Sequence, residues 1–208
     1  MTITLKRPIA WFLALVVCAS IPLAAHAQSA RFDYEDGVLW MNGEIDRSTP
    51  RKLSRALQRY PDAQWIALEY VPGSNDDEAN LQAARLVRQA GLSTIVLSDS
   101  LIASGGTDFF LAGVNRVVRP GACIGVHAWS DDSIATPASQ LPRNHPEHSM
   151  YLQYYRELGV PDKFYWFTLQ AASADGMHYM SQNELNAFGV ATAYDGQGAW
   201  NLSSCQYR

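Results

Sequence analysis

The sequence has few lysines, few cysteines and no strongly basic run. Its 208 residues contain 16 lysines and arginines against 20 aspartates and glutamates, and charged residues make up only 17% of the chain. Because a nucleic-acid-binding protein needs a basic patch or stripe, this balance argues against that class. The hydrophobic fraction of 48% exceeds that of disordered chains and is sufficient for a folded core.

Residues 1–27 have the layout of a secretory signal peptide. Two basic residues near the start precede a mostly apolar run over 9–25, and an A-x-A cleavage pattern ends at Ala27. A proline and small residues near the end of this run disfavour the alternative of a transmembrane anchor. No later apolar run approaches the ~20 residues that span a bilayer. We therefore expect a mature chain, residues 28–208, that is periplasmic or secreted and has no stable membrane span after signal cleavage.

Export changes the interpretation of the cysteines. Cys18 leaves with the signal peptide, so that Cys123 and Cys205 remain. In an oxidising compartment these two residues can form a disulfide. The alternative is two unpaired thiols, with Cys123 packed as a small core residue. The sequence gives no distance between them, so both alternatives stay open.

Apolar periodicity and turn residues predict short strands that alternate with helices. Strands are predicted at both ends of 32–41 around an Asp-Gly turn, and at 65–68, 94–97, 116–118, 124–127 and 190–193. Helices are predicted at 49–60, 75–90, 105–112, 147–158, 161–171 and behind a capping box at 181–184. This alternation indicates a single α/β domain over residues 28–208, with a mainly parallel sheet and crossover helices.

Two later segments differ from this pattern. Residues 130–146 form a long polar loop, of the kind that is often functional. The aromatic residues between 151 and 167 are consistent with a peptide groove, with a subunit interface, or with helices that pack on the sheet. His145 and His148 lack the spacing of a helical zinc pair, so we predict no metal site.

A serine and a histidine form the candidate catalytic pair. Ser104 lies in the small-residue turn IASGGT at 102–107, between a strand and a helix, where helix N-terminal amides can stabilise an oxyanion. His127 ends a short apolar strand, and a base with a near-neutral pKa is what a serine nucleophile requires. Taken alone, the segment around Ser104 is also compatible with an ordinary turn, and His127 is also compatible with a structural histidine.

Six segments between residues 38 and 192 occur in an order that is typical of a known family. They are LWMNGEI at 39–45, YVPGS at 70–74, RLVRQAGL at 85–92, ASGG at 103–106, FLAG at 110–113 and the strand region at 116–127. Together they resemble the proteolytic subunit of Clp protease and the crotonase superfamily, specifically an exported, periplasmic branch. The resemblance implies a ClpP/crotonase-like α/β fold and a homo-oligomer, since relatives commonly assemble into rings or trimers. It implies no cofactor.

The same resemblance implies a serine protease mechanism. Ser104 would be the nucleophile and His127 the general base, while the backbone amides of Gly73 and Gly105 would form the oxyanion hole. The acid of a Ser-His-Asp triad would be Asp175, although Ser173 falls closer to the family's position. The alternative for Asp175 is a turn residue before a glycine. Because the periplasm lacks ATP, the substrates would be short or already unfolded peptides.

Two departures keep a second hypothesis open. Ser74 replaces the second glycine of the family's Pro-Gly-Gly turn, and residues 75–78 include three carboxylates that would oppose an oxyanion. The alternative function is therefore a catalytically inactive binding or assembly module of the same fold, with a protein partner. A crotonase-type acyl-thioester enzyme is disfavoured, because export separates the chain from coenzyme A.

Overall fold

A sheet of eight strands organises the chain in a computed structural model that describes residues 28–130, 134 and 136–207. The predicted signal peptide, residues 1–27, lies outside the described residues. The strands are β1 (Arg31–Glu35), β2 (Val38–Asn42), β3 (Trp65–Val71), β4 (Ser93–Ala103), β5 (Arg116–Val118), β6 (Cys123–Val126), β7 (His178–Tyr179) and β8 (Ala193–Tyr194).

Six strands lie in the order β1-β2-β3-β4-β5-β8, while β6 pairs with β4 and with β7. The pairings are parallel except for β1 with β2 and β6 with β7. The predicted mainly parallel α/β sheet is therefore confirmed. The last strand lies slightly later than the predicted 190–193, and the two-residue β7 was not predicted at all.

Six α-helices connect or flank these strands in the described part of the chain. They are α1 (Thr49–Arg59), α2 (Asp77–Gln89), α3 (Gly105–Phe110), α4 (Ser149–Leu158), α5 (Asp162–Ala171) and α6 (Gln182–Ala187). Asp76 caps α2 by accepting a hydrogen bond from the Ala79 amide, and the predicted capping box of Ser181 and Glu184 opens α6. No helix among the described residues is long and apolar enough to cross a bilayer.

Strand β4 changes partners halfway along, and this positions the candidate site. Residues 94–96 pair with β5, whereas residues 101–103 pair with residues 123–125 of β6. The polar residues 98–100 span this change, and the register with β3 shifts in the same region. Because β4 and β6 run parallel, their carboxyl ends meet at one edge of the sheet. Ser104 and His127 are the residues that directly follow these two ends.

The two faces of the sheet have different environments. Side chains on one face form the core with the helices, and these include the fully buried Leu39, Met41, Ile66, Leu68 and Val96. The alternating side chains line an open apolar depression on the other face, with Val38, Trp40, Trp65, Ile95 and Leu97 among them. The central strands are therefore apolar on both sides, as expected of parallel strands.

A disulfide joins Cys123, at the start of β6, to Cys205 in a C-terminal 3₁₀ turn, Leu202–Tyr207. Their Cα atoms are 5.6 Å apart, within the usual range for a disulfide, and both residues are buried. In this structure the paired alternative holds. Because the bond closes a loop with a sequence separation of 82, loop entropy alone gives a stabilisation of about 4 kcal/mol.

Candidate active site

Ser104 occupies a sharp turn between β4 and α3. Its backbone has φ +52° and ψ −127°, a conformation that residues with a side chain rarely adopt. Three hydrogen bonds hold the turn: the Ser104 amide donates to the Gly125 carbonyl at 3.0 Å, and the Thr107 and Asp108 amides donate to the Ser104 carbonyl. Backbone strain of this kind is found mostly at functional sites, where it exposes a nucleophilic hydroxyl.

Glycines allow the close packing around this turn. A Cβ atom on Gly106 would lie 2.3 Å from the Val71 carbonyl oxygen, and one on Gly105 would lie 2.3 Å from Ser74 Oγ. A Cβ on Gly73 would be 3.4 Å from the Cβ of Ser104, so the Gly73 backbone lies directly beside the nucleophile. The close approach of helix α3 to the end of β3 therefore leaves no room for a side chain at Gly106 and requires Ser74 to move if one is added at Gly105.

The predicted oxyanion-hole amides belong to this packed region. Within the described residues, the amides of Gly73 and Gly105 donate no hydrogen bond to the protein, which leaves them available to a substrate oxygen. Ser74 does not have a positive φ, so the serine in place of the family's glycine causes no strain there. Its hydroxyl instead donates to Asp77 Oδ1 at 2.5 Å.

His127 lines the same cavity as Ser104 but is held less completely. Its Nδ1 atom is buried and has no hydrogen-bond partner among the described residues. Burial lowers the pKa of His127, while main-chain groups of Ala128 and Ala174 and the charge of Asp77 offset part of this effect. The ring is therefore neutral at pH 7, as a general base must be. No hydrogen bond joins it to Ser104 in the described structure, which is common before substrate binds.

The structure does not bring Asp175 to His127. The Asp175 side chain is exposed, and its carboxylate accepts a hydrogen bond of 2.6 Å from Ser173 Oγ. The physical reason is a tight turn in which the Gly176 amide donates to the Ser173 carbonyl, so that the Asp175 side chain faces solvent. The hydrogen bond from Ser173 also lowers the pKa of Asp175. Asp175 thus has the environment of a turn residue.

A cavity of about 40 Å³ lies between the candidate pair and helices α4 and α5. Its wall combines hydroxyl, carboxyl and aromatic groups, and it is lined by Asp77, Ser104, Gly105, Thr107, Asp108, Val126, His127, Trp129, Tyr151, Tyr155, Tyr165 and Thr168. Ser104 and His127 line this cavity together, and so do several residues that the sequence did not single out.

Two carboxylates in the cavity wall are each bound by a tyrosine of α4. Tyr151 donates to Asp77 Oδ2, and Tyr155 donates to Asp108 Oδ1 at 2.5 Å. Burial is the main reason that the pKa of Asp108 is raised to about 7, a net value to which the hydrogen bond from Tyr155 contributes by lowering the pKa and the charge of Asp77 by raising it. The aromatic stretch therefore supplies hydroxyl groups to the site as well as helix packing. The available sequence signal was the one-turn spacing of the two tyrosines, and of Asp108 after Ser104.

A second polar chain fixes two further aromatic residues. Trp129 Nε1 donates to the Tyr165 hydroxyl at 2.9 Å, and that hydroxyl lies 2.7 Å from His148 Nδ1. Because an indole only donates, the Tyr165 hydroxyl can in turn donate to His148, and these bonds set the position of the Trp129 and Tyr165 side chains. Among the described residues, no group of three or more histidine, cysteine, aspartate or glutamate side chains is arranged to hold a metal ion. His145 and His148 do not belong to such a group either.

Comparison with known proteins gives similarity only at the level of structure. No family model matches the chain, and no curated protein matches it. A ClpP1 variant from Listeria monocytogenes has a TM-score of 0.51 and 17% identity, covering 74% of this chain and 88% of the other. An enoyl-CoA hydratase from Shewanella pealeana has a TM-score of 0.50 and 10% identity, covering 86% of this chain and 71% of the other.

A variant of the 1510-N membrane-bound stomatin-specific protease is also similar, with a TM-score of 0.49 and 16% identity. It covers 79% of this chain and 81% of its own. At these identities the comparisons establish the fold, and the predicted resemblance to ClpP and crotonases is confirmed at that level.

Proposed function

Starting from the ClpP/crotonase-like fold of this chain, we propose that it is an exported serine hydrolase, a peptidase for short or unfolded peptides. One observation carries the proposal: a serine at positive φ and a neutral histidine line one cavity, and two unpartnered glycine amides lie beside the serine, one of them from a residue of the cavity wall. The serine is Ser104, the base is His127, and the amides belong to Gly73 and Gly105. This is the set of groups that acyl transfer requires.

The geometry supports a mechanism of two acyl-transfer steps. Ser104 Oγ attacks the peptide carbonyl carbon while His127 accepts its proton, and the two glycine amides bind the oxyanion that forms. His127 then gives the proton to the leaving amine, which leaves an ester on Ser104. A water molecule attacks that ester with His127 again as the base, and the acid product departs.

The base in this mechanism works without a carboxylate partner. Nδ1 of His127 is buried and unpartnered, and main-chain groups of Ala128 and Ala174 lie beside the ring in place of an acid. An imidazolium formed during the reaction is therefore stabilised less than in a full triad. This same observation favours the second candidate function, a catalytically inactive module whose Ser104 and His127 do no chemistry.

A fluorophosphonate probe separates the two candidates, because it labels only an activated serine. The mature chain, residues 28–208, is compared with the Ser104→Ala and His127→Ala variants and with Ser149→Ala, which removes an exposed serine outside the cavity. We expect labelling of wild type and Ser149→Ala, none of Ser104→Ala, and a decrease of at least 100-fold for His127→Ala. A folded wild type that is not labelled excludes the hydrolase.

Export and self-association belong to the same proposal. Expression of the full chain in a Gram-negative bacterium, followed by mass spectrometry of the periplasmic fraction, should give a protein that starts at Gln28. The apolar depression on the free sheet face, around Trp40 and Trp65, supports an oligomer, because such a face is costly to leave in water. Sedimentation of the mature chain tests this, and a monomer at high micromolar concentration contradicts it.

A further inference from the structure

The cavity beside Ser104 has a negative character. Of its lining residues, Asp77 and Asp108 carry carboxylates, His127 is neutral, and no lysine or arginine belongs to this described set. The other polar side chains of the lining, which include Thr107 and Thr168, are uncharged. A substrate group that enters the cavity therefore meets two acids and no fixed positive charge.

The acids also present unused hydrogen-bond acceptors. A carboxylate has about four lone-pair positions, and Asp108 uses one of them for the Tyr155 hydroxyl. Because the hydroxyls of Tyr151 and Tyr155 donate to carboxylates, their own oxygen lone pairs also remain available. An ammonium group has three N–H donors and no acceptor, so it complements this wall directly.

Aromatic rings form the remaining wall. Trp129 stacks on Tyr151 with ring centres 6.1 Å apart, and Tyr151 stacks on Tyr165 at 5.6 Å. The hydrogen bonds from Trp129 to Tyr165 and onward to His148 hold this wall in place before any ligand arrives.

The size of the cavity narrows the choice of cation. A volume of about 40 Å³ accommodates an ammonium group with its last methylene groups, because one water needs about 10–15 Å³ by the same measure. Burial of a carboxylate without a cation is costly, so an ammonium group that enters would recover part of the free energy lost at Asp108.

From this combination, we infer that the cavity selects substrates that carry a primary ammonium group close to the carbonyl that Ser104 attacks, as in a lysine residue on its acyl side. Asp77 and Asp108 are the specificity-determining carboxylates. The inference rests on the proposed hydrolase function and names its substrate class.

Matched ester substrates test this preference. The 4-nitrophenyl esters of N-acetyl-lysine and N-acetyl-norleucine have side chains of similar length that differ in charge, and at pH 8 both Asp108 and the lysine are charged. We expect kcat/KM for the lysine ester to exceed that for the norleucine ester about tenfold or more. In Asp77→Asn and Asp108→Asn this ratio should fall close to one. Glu78→Gln, which removes an exposed carboxylate from the same helix turn as Asp77, should keep the preference.

A binding measurement separates failure of this inference from failure of the hydrolase. Calorimetric titration of Ser104→Ala with butylamine hydrochloride, against 1-butanol, reports the cation site without any turnover. Binding of butylammonium that Asp108→Asn abolishes in this background establishes the cation site. If the wild type then does not react with fluorophosphonate, the hydrolase and its substrate class are overturned, while the cation site stands. A wild type that reacts with fluorophosphonate but prefers neither ester overturns the inference and leaves the hydrolase intact. Absence of butylammonium binding overturns it in every case.

Discussion

The two members of the candidate pair are held in different ways. Ser104 has a strained backbone fixed by three hydrogen bonds, and glycines lie around it at distances that admit no side chain. His127 follows a strand end that is paired on both sides, yet its Nδ1 atom has no partner within the described residues. The nucleophile is thus positioned completely, whereas the base is positioned by the backbone but not supported through its ring.

This difference shows which part of the site limits its reactivity. The turn geometry makes Ser104 accessible, but acyl transfer also requires that His127 take up a proton and hold it. Burial opposes that step, and no carboxylate bonded to Nδ1 compensates. Substitutions that disturb the turn around Ser104 should therefore abolish the reactivity of Ser104, whereas an acid placed next to the His127 ring should increase it.

The largest effect is expected from Gly106→Ala, which disrupts the packing that positions Ser104. The new methyl group would meet the Val71 carbonyl oxygen at 2.3 Å, so α3 must move away from β3. We expect a loss of about 3 kcal/mol or more in the free energy of unfolding, together with loss of fluorophosphonate labelling. Urea denaturation measures the first quantity.

Gly159→Ala is the matched control for this substitution. Gly159 has φ +72° with open space around it, so only backbone strain of about 1 kcal/mol is expected there. If Gly106→Ala and Gly159→Ala lower the free energy of unfolding equally, the close packing of α3 against β3 is not the reason that position 106 requires glycine.

Ala174→Asp should make His127 a more effective base. The main chain of Ala174 lies beside the His127 ring, so a carboxylate introduced there can reach the unpartnered Nδ1. We expect the fluorophosphonate labelling rate to rise about tenfold, because an acid at this position orients the imidazole and stabilises its charged form. Gln170→Asp is the control, since Gln170 is exposed in the last turn of α5. An equal gain in both variants indicates a general charge effect.

The pH dependence of labelling should distinguish the supported base from the unsupported one. Because burial lowers the pKa of His127, the labelling rate of wild type should rise with pH through a midpoint below about 6.5 and be level by pH 8. In Ala174→Asp the carboxylate raises the pKa, so the midpoint moves upward. Asp108 has a pKa of about 7, so the profile is repeated in Asp108→Asn, where that group cannot titrate. A midpoint above 7 in the Asp108→Asn variant contradicts a neutral, half-buried His127.

The smallest effect is expected from Asp175→Asn. This carboxylate is exposed and bonded to Ser173, so its removal should change the labelling rate less than about twofold. Rates measured beside Asp175→Ala and wild type decide the point. A decrease of tenfold or more means that Asp175 reaches His127 during the reaction, as the family resemblance implied.

Local pattern predicted most of the fold, because strands and helices in this chain have distinct signals. Runs such as 65–68 and 116–118 are short and apolar, and Gly91 and the capping box at Ser181 mark helix ends. Strand β4 was predicted too short, since the polar residues 98–100 interrupt its apolar run. Its continuation depends on pairing with β6, which no local signal shows.

The candidate site was only partly predictable for the same reason. Ser104 and His127 each follow a strand with a recognisable ending, so both could be selected from sequence. The contacts of Asp77 with Tyr151 and of Asp108 with Tyr155 join residues that are 74 and 47 positions apart. Such pairs depend on how α4 packs over α2 and α3, and neither composition nor spacing contains that information.

The disulfide has a consequence for the order of events when the protein is made. Cys205 follows Cys123 by 82 positions, and the intervening stretch contains His127, the long loop and helices α4, α5 and α6. The bond can close only after all of these have emerged from the ribosome and, if the chain is exported, from the translocation channel. Oxidation of this pair therefore requires that the whole segment from the candidate base to the C-terminal turn has already been made.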